Sequence, residues 1–171
     1  YLEATPPYVK GAAPQALIDE GVLSPGFAQL AMSGFPLNRP LYAHQEEAIR
    51  AIASGRNAVV ATGTGSGKTE SFLLPILDRI LRESAAGELG PGVRALLLYP
   101  MNALANDQLK RLRQMLSGVP SVTFGRYTGH TKETPEQAKA AFHEQFPGER
   151  HLPNELLSRE EMRESPPHIL L

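Results

Sequence analysis

Lys68 and Thr69 close a run of small residues, Ala61-Thr62-Gly63-Thr64-Gly65-Ser66-Gly67, and Glu70 follows them. Glycines at alternate positions let a backbone curl so that several amide N–H groups converge on one point. A convergent set of amides at the start of a helix is a phosphate cradle, because the helix adds its positive N-terminal end. Lys68 is then placed to reach the β- and γ-phosphates of a nucleoside triphosphate as a point charge, and the Thr69 hydroxyl to ligate Mg²⁺. Thr64, Gly65, Ser66 and Gly67 supply the cradle. The strict phosphate-loop pattern has Gly at position 62, where this chain has Thr; the Gly67-Lys68-Thr69 end, where the chemistry sits, is intact.

Such a loop works only between a strand and a helix. Asn57–Ala61 is a short apolar run, too short for a helix and right for a buried strand. Beyond the loop, Phe72, Leu73, Ile76, Leu77, Ile80 and Leu81 recur at three-and-four spacing, which predicts a helix. Upstream, 1–14 reads as an extended leader. Pro14–Met32 reads as two short helices broken at Ser24-Pro25-Gly26, with Ser24 in position to cap the second. His44–Ser54 has a helical period and stops at Gly55. Downstream, Val93–Tyr99 and Val122–Tyr127 read as strands and Leu104–Leu116 as a helix. Pro135 to about Phe146 and Asn154–Arg163 also read as helices, and His168–Leu171 as a strand. Strands alternating with helices predict an α/β fold with a parallel sheet and crossover helices.

The chain has 171 residues, 42% hydrophobic and 20% charged, which fits one ordinary globular domain and excludes a disordered tail or a fibre. With no cysteine, disulfides and thiolate metal sites are impossible, and a cytoplasmic setting is expected. A net charge of −1 excludes a polybasic clamp, so any nucleic-acid contact must be local. No apolar run is long enough for a membrane span, and no secretory leader is read at the N-terminus. A start at Tyr1 rather than Met predicts a piece of a longer chain. No histidine spacing suits a metal site, and no nucleophile triad is legible.

Ala61–Glu70 resembles motif I of the superfamily-2 DEAD/DEAH-type helicases, a family that tolerates a residue other than Gly at position 62. Three further blocks follow the family's order. Arg39-Pro40-Leu41-Tyr42-Ala43-His44-Gln45 is similar to the Q motif. Tyr99-Pro100-Met101-Asn102-Ala103-Leu104-Ala105-Asn106-Asp107-Gln108 is similar to motif Ia, and Tyr127-Thr128-Gly129 to motif Ib. The wording of these blocks, with Pro166-Pro167-His168-Ile169-Leu170-Leu171, resembles the MrfA-type branch of DNA-repair helicases and their phage-defence relatives.

The resemblance implies a RecA-like lobe that binds ATP and Mg²⁺. Residues 1–56 would be an N-terminal extension carrying the Q motif, and 57–171 part of the ATP-binding lobe, incomplete before motif II. It implies that Gln45 reads the adenine edge, with a solvent-facing glutamine at a helix start the alternative, and that Tyr42 or Phe35 stacks on the base, with core packing the alternative for both aromatics. For Glu70, the positive end of the helix is a sufficient reason. Asn102, Gln108, Thr128 and Gly129 would grip the backbone of a single strand; capping by Asn102 and a plain turn at 128–131 are the alternatives. Lys110, Arg111 and Arg113 read as a solvated helix face. The implied activity is that of an ATP-dependent translocase on single-stranded DNA, acting with a second RecA-like lobe of the same parent chain. RNA, or a subunit of a phage-defence or restriction system, are the alternatives. The Asp-Glu motif that completes hydrolysis does not occur between 131 and 171, so this stretch alone is expected to hydrolyse no ATP, and its unfinished sheet to expose apolar surface.

Overall fold

The computed structural model describes residues 8–32, 35–63 and 65–171. Thr64, expected in the phosphate cradle, lies outside them. The chain divides into two compact units, Tyr1–Ala31 with Pro36–Arg82, and Met32–Phe35 with Glu83–Leu171.

The first unit is helical: α1 (Pro14–Asp19), α2 (Phe27–Met32), α3 (Ala43–Ala53) and α4, which begins at Lys68 and runs to Ala85. Pro14 opens α1 at a position where the missing N–H costs nothing. Gly55, with φ of +79°, ends α3 where the sequence places the stop. On α4, Leu73, Leu74, Leu77, Ile80 and Leu81 make one buried stripe. Leu17, Leu23, Phe27 and Ile49 are fully buried or nearly so. From Tyr8 on, the leader is pinned antiparallel to the start of α3. Gly11 donates to the Leu41 carbonyl, Leu41 to that of Ala12, and Ala43 to that of Val9. Glu46 fixes it further by accepting from the Ala12 amide at 2.6 Å, and that bond, with the Arg50 ion pair, holds the Glu46 carboxyl below its usual range.

The second unit holds the sheet. Its four strands are β1 (Ala95–Leu96), β2 (Phe124–Gly125), β3 (Glu155–Leu156) and β4 (Ile169–Leu170), in spatial order β1-β4-β2-β3. All pairs are parallel, with Ala95 opposite Ile169, Phe124 opposite Ile169, and Phe124 opposite Glu155. The crossovers are α5 (Asn102–Leu116), α6 (Pro135–Gln145) and α7 (Arg159–Glu164). The expected parallel α/β sheet with crossover helices is therefore present. Phe124 and Ile169 are fully buried in its centre, and α5 buries Leu109, Leu112, Met115 and Leu116.

Two expected elements differ. Asn57–Ala61 makes no ladder among the described residues, and Val59 is 96% exposed. An apolar run encodes a preference for burial, but a strand also needs a neighbouring backbone to pair with, and none of the described residues supplies one. Asn154–Arg163 is not one helix. Asn154 is buried and donates its amide to the carbonyls of Leu116, Val119 and Val122 at 2.9–3.1 Å. That bond set holds the chain extended into β3. The helix starts only after Ser158, whose hydroxyl accepts from the Glu161 amide while Glu161 accepts from the Ser158 amide. Along and beyond β1, Leu96, Leu98 and Met101 are 57%, 81% and 61% exposed.

Candidate functional site

The phosphate loop lies in the helical unit, where α3 and the N-terminus of α4 shape it. Gly65 and Gly67 have φ of +77° and +72°, in the left-handed region that a Cβ disfavours. A Cβ on Gly67 would also stand 2.6 Å from Gln45 Nε2. Lys68 turns its ammonium into the loop and donates to the carbonyls of Thr62 at 2.8 Å and Gly63 at 2.7 Å. Thr62 and Ser66 share a hydrogen bond between their hydroxyls, so the two sides of the loop are tied across its base. Thr69 sits half-buried in the first turn of α4.

Gln45 is the strut behind this loop. Only 4% exposed, it accepts from the Tyr42 amide through Oε1 at 2.7 Å and donates through Nε2 to the Gly67 carbonyl at 2.6 Å. The Glu70 carboxylate accepts a third bond from the same nitrogen at 3.3 Å. Both ends of the amide are thus engaged within the chain. Glu70 gains a partner beyond the helix end that suffices to explain it.

His44, next to Gln45 on α3, reaches the loop as well. Its Nε2 is 3.0 Å from the Ser66 carbonyl, and its ring stacks on Tyr42 at 5.8 Å with 18° between planes. Tyr8 closes an aromatic trio, 5.3 Å from Tyr42 and 5.6 Å from His44. Tyr42 is therefore part of an aromatic cluster beside the loop, and Ser66, fully buried, shapes the loop through its hydroxyl and carbonyl. Sequence reasoning missed Tyr8 and His44. No spacing marks Tyr8, whereas His44, one residue from Gln45 at the start of a helix, was legible as a neighbour of whatever Gln45 touches.

The loop suits a polyphosphate. Two glycines hold the backbone where amides can converge, an ammonium already sits among the loop's oxygens, and an 18-residue helix begins at Lys68. The Thr69 hydroxyl, in the first turn of α4, is of the kind that can ligate Mg²⁺. No cluster of three His, Cys, Asp or Glu able to hold a metal occurs among the described residues.

In the sheet-bearing unit, the other expected contacts lie beyond the carboxyl ends of β1 and β2, the edge where open α/β sheets take their ligands. Asn102 is the first residue of α5 and exposed; Met101 holds the cap position and makes no side-chain cap bond. Gln108 is half-buried two turns on. Thr128 and Gly129 form a tight turn in which the Thr131 hydroxyl accepts from the Thr128 amide and donates to the Arg126 carbonyl. Arg113, expected on a solvated face with Lys110 and Arg111, is instead half-buried in a bidentate pair with the buried Glu155, both bonds 2.8 Å, beneath the rings of Phe142 and Phe146. Charge spacing on a helix does not reveal which turn faces a buried carboxylate on another segment.

The chain is 42% identical over 147 residues to Druantia protein DruE of Escherichia coli (strain UMEA 4076-1), covering 77% of this chain and 8% of that protein. It is 31% identical over 127 residues to the ATP-dependent helicase Lhr-Core of Methanothermobacter thermautotrophicus, covering 74% of this chain and 13% of that one. The chain thus spans about a tenth of the length of these curated relatives. The crystal structure of the DUF1998 helicase MrfA bound to DNA superimposes with a TM-score of 0.61 at 24% identity, over 95% of this chain and 18% of that one, a likeness of fold that makes the architecture RecA-like. The match to the DEAD/DEAH box helicase family runs over residues 42–147 and takes in the loop, the helices that frame it and the first two strands of the sheet; the chain belongs to that family.

Proposed function

We propose that this chain is the ATP-binding part of the first motor lobe of an ATP-dependent DNA helicase or translocase. The observation that carries the reading is Lys68 at the head of α4, its ammonium inside a loop whose shape depends on Gly65 and Gly67. In this reading the Lys68 ammonium moves from the Thr62 and Gly63 carbonyls to the β- and γ-phosphates. Thr69 would hold Mg²⁺, which would supply neutralising charge to the phosphates. The backbone of Gly65–Gly67 orients the phosphate chain. Gln45 has two tasks that compete. It props the loop through Gly67, and to read an adenine edge it must give up a bond to Gly67 or Tyr42. A bound base would sit against Tyr42.

Asn102, Gln108, Thr128 and Gly129 would hold a single strand by its phosphates, without reading its bases. DNA is favoured by the solved relative, MrfA, whose crystal structures are described as bound to DNA. RNA is the second reading because another relative, mouse DDX54, is named an ATP-dependent RNA helicase and is 32% identical over 109 residues. A second RecA-like lobe and a cytoplasmic site of action complete the proposal.

The test is the ATPase rate of the whole parent protein with single-stranded DNA, single-stranded RNA, or neither, with Lys68→Ala alongside. Stimulation by DNA and loss of turnover in Lys68→Ala support the proposal. Stimulation by RNA alone overturns the DNA assignment, and full turnover in Lys68→Ala overturns the site.

A further inference from the structure

A cavity of about 600 Å³ opens within the sheet-bearing unit, between α5, α6 and the Gly129–Glu133 turn. Its titratable lining is uneven. Glu155 is already matched by Arg113, and Glu133 by Arg163. Arg126 and Lys132 have no carboxylate within ion-pair distance among the described residues. Arg126 is half-buried at the end of β2, and among the described residues its guanidinium makes one hydrogen bond, to the Asn106 side chain. Burial, then repulsion from Arg113, pull its guanidinium below the ordinary arginine range, against a smaller opposing effect of Glu155. Arg159 lines the same cavity, where it lies over the Tyr127 ring and donates to the Thr128 carbonyl. A desolvated cation facing a second cation is costly unless an anion joins it.

We propose that this cavity is an anion site that receives a backbone phosphate of the bound single strand, with Arg126 as its anchor and Lys132 at its rim. The inference rests on the single-strand reading above and adds two cationic groups to the uncharged ones. Guanidinium–phosphate bonds are charge-assisted and among the strongest a surface can offer. The turn that carries Gly129 and Thr131 lines the cavity too, so the strand that touches Thr128 would pass its mouth. An adventitious cavity would instead leave Arg126 as a plain packing residue.

The test is fluorescence anisotropy of a labelled single-stranded oligonucleotide with the whole parent protein, as a function of salt. Arg126→Gln and Lys132→Gln should each weaken binding severalfold and flatten the slope of log K against log salt by about 0.7 for each phosphate no longer neutralised. Arg126→Lys should restore the slope. Thermal melting separates the roles: Arg126→Gln should melt no lower than the wild type, because it removes a charge that burial and Arg113 together disfavour. An unchanged slope in both Gln variants, or a lower melting temperature with unchanged affinity, overturns the proposal. If Asn102→Ala and Thr128→Ala weaken binding while the Arg126 and Lys132 variants do not, the anion site fails and the single-strand reading stands. If the wild-type protein binds no single strand, both fail.

Discussion

Gly67→Ala separates two costs that the loop geometry predicts. The first is conformational: an alanine held at φ of +72° costs about 1–2 kcal/mol. The second is steric. The new Cβ would lie 2.6 Å from Gln45 Nε2, so the glutamine must leave the Gly67 carbonyl, and a buried donor then goes without its partner for about 1–3 kcal/mol. Together these make roughly 2–5 kcal/mol against the loop conformation. If only that conformation binds nucleotide, the apparent affinity falls with its population, about 30-fold at the lower end. Gly65→Ala isolates the first cost, since its φ is +77° and nothing lies within 4 Å of its Cβ. Gly55→Ala is the control away from the loop, with φ of +79° and open space; it should lower stability by a similar strain and leave nucleotide binding alone. The assay is titration of a fluorescent ATP analogue into the parent protein. The steric part also predicts non-additivity: Gln45→Ala with Gly67→Ala should lose less than the two single losses summed, because the small side chain removes the clash. Equal losses in Gly65→Ala and Gly67→Ala, or strict additivity with Gln45→Ala, would refute the strut assigned to Gln45.

Arg113→Ala, which strands the Glu155 carboxylate at 2% exposure, should cost about 3–5 kcal/mol, read as a fall in the urea midpoint. The joint exchange Arg113→Met with Glu155→Leu should recover most of that loss. Burial lowers the pKa of His168, which takes a bond from the Thr123 amide on Nδ1 and lies 3.2 Å from the Gly90 carbonyl through Nε2. The unfolded chain therefore binds this proton more readily. The stability is complete above the ordinary histidine value of 6.5 and declines as pH falls below it. Melting temperature measured across the histidine range should show a decline starting near 6.5, and His168→Gln should lack it. The 171-residue chain by itself should show no Mg²⁺-dependent ATP turnover; turnover that disappears in Lys68→Ala would refute the expectation that hydrolysis needs groups outside it.

Much of this can be read in advance where one local rule governs. The loop is legible because glycine spacing, Lys68 and Thr69 encode a ligand rather than a packing environment. The α4 stripe is legible because burial on one side of a helix leaves a period in the sequence. The strands are legible as apolar runs only, which is why Asn57–Ala61 reads as a strand yet pairs with none of the described residues. β3 is hidden because Asn154 holds it by three carbonyls from the end of α5 and the α5–β2 connection, a non-local arrangement that leaves no periodic trace. The Ser158–Glu161 box does mark the true start of α7. For the site, residue types point to Gln45 and Glu70 but not to their mutual bond. Nothing in the composition places Arg113 beneath two phenylalanine rings.

The ammonium of Lys68 already has oxygen partners in the Thr62 and Gly63 carbonyls. Engaging a phosphate is therefore an exchange of ligands, not the capture of a solvated ion by an open trap. The net gain from this lysine is the difference between two sets of bonds, each of which the loop can offer in turn. In the function proposed above, a motor that must let go of its product on every cycle would profit from that arrangement. In that reading the carbonyls that compete with an incoming nucleotide also give the lysine oxygen partners to return to on release.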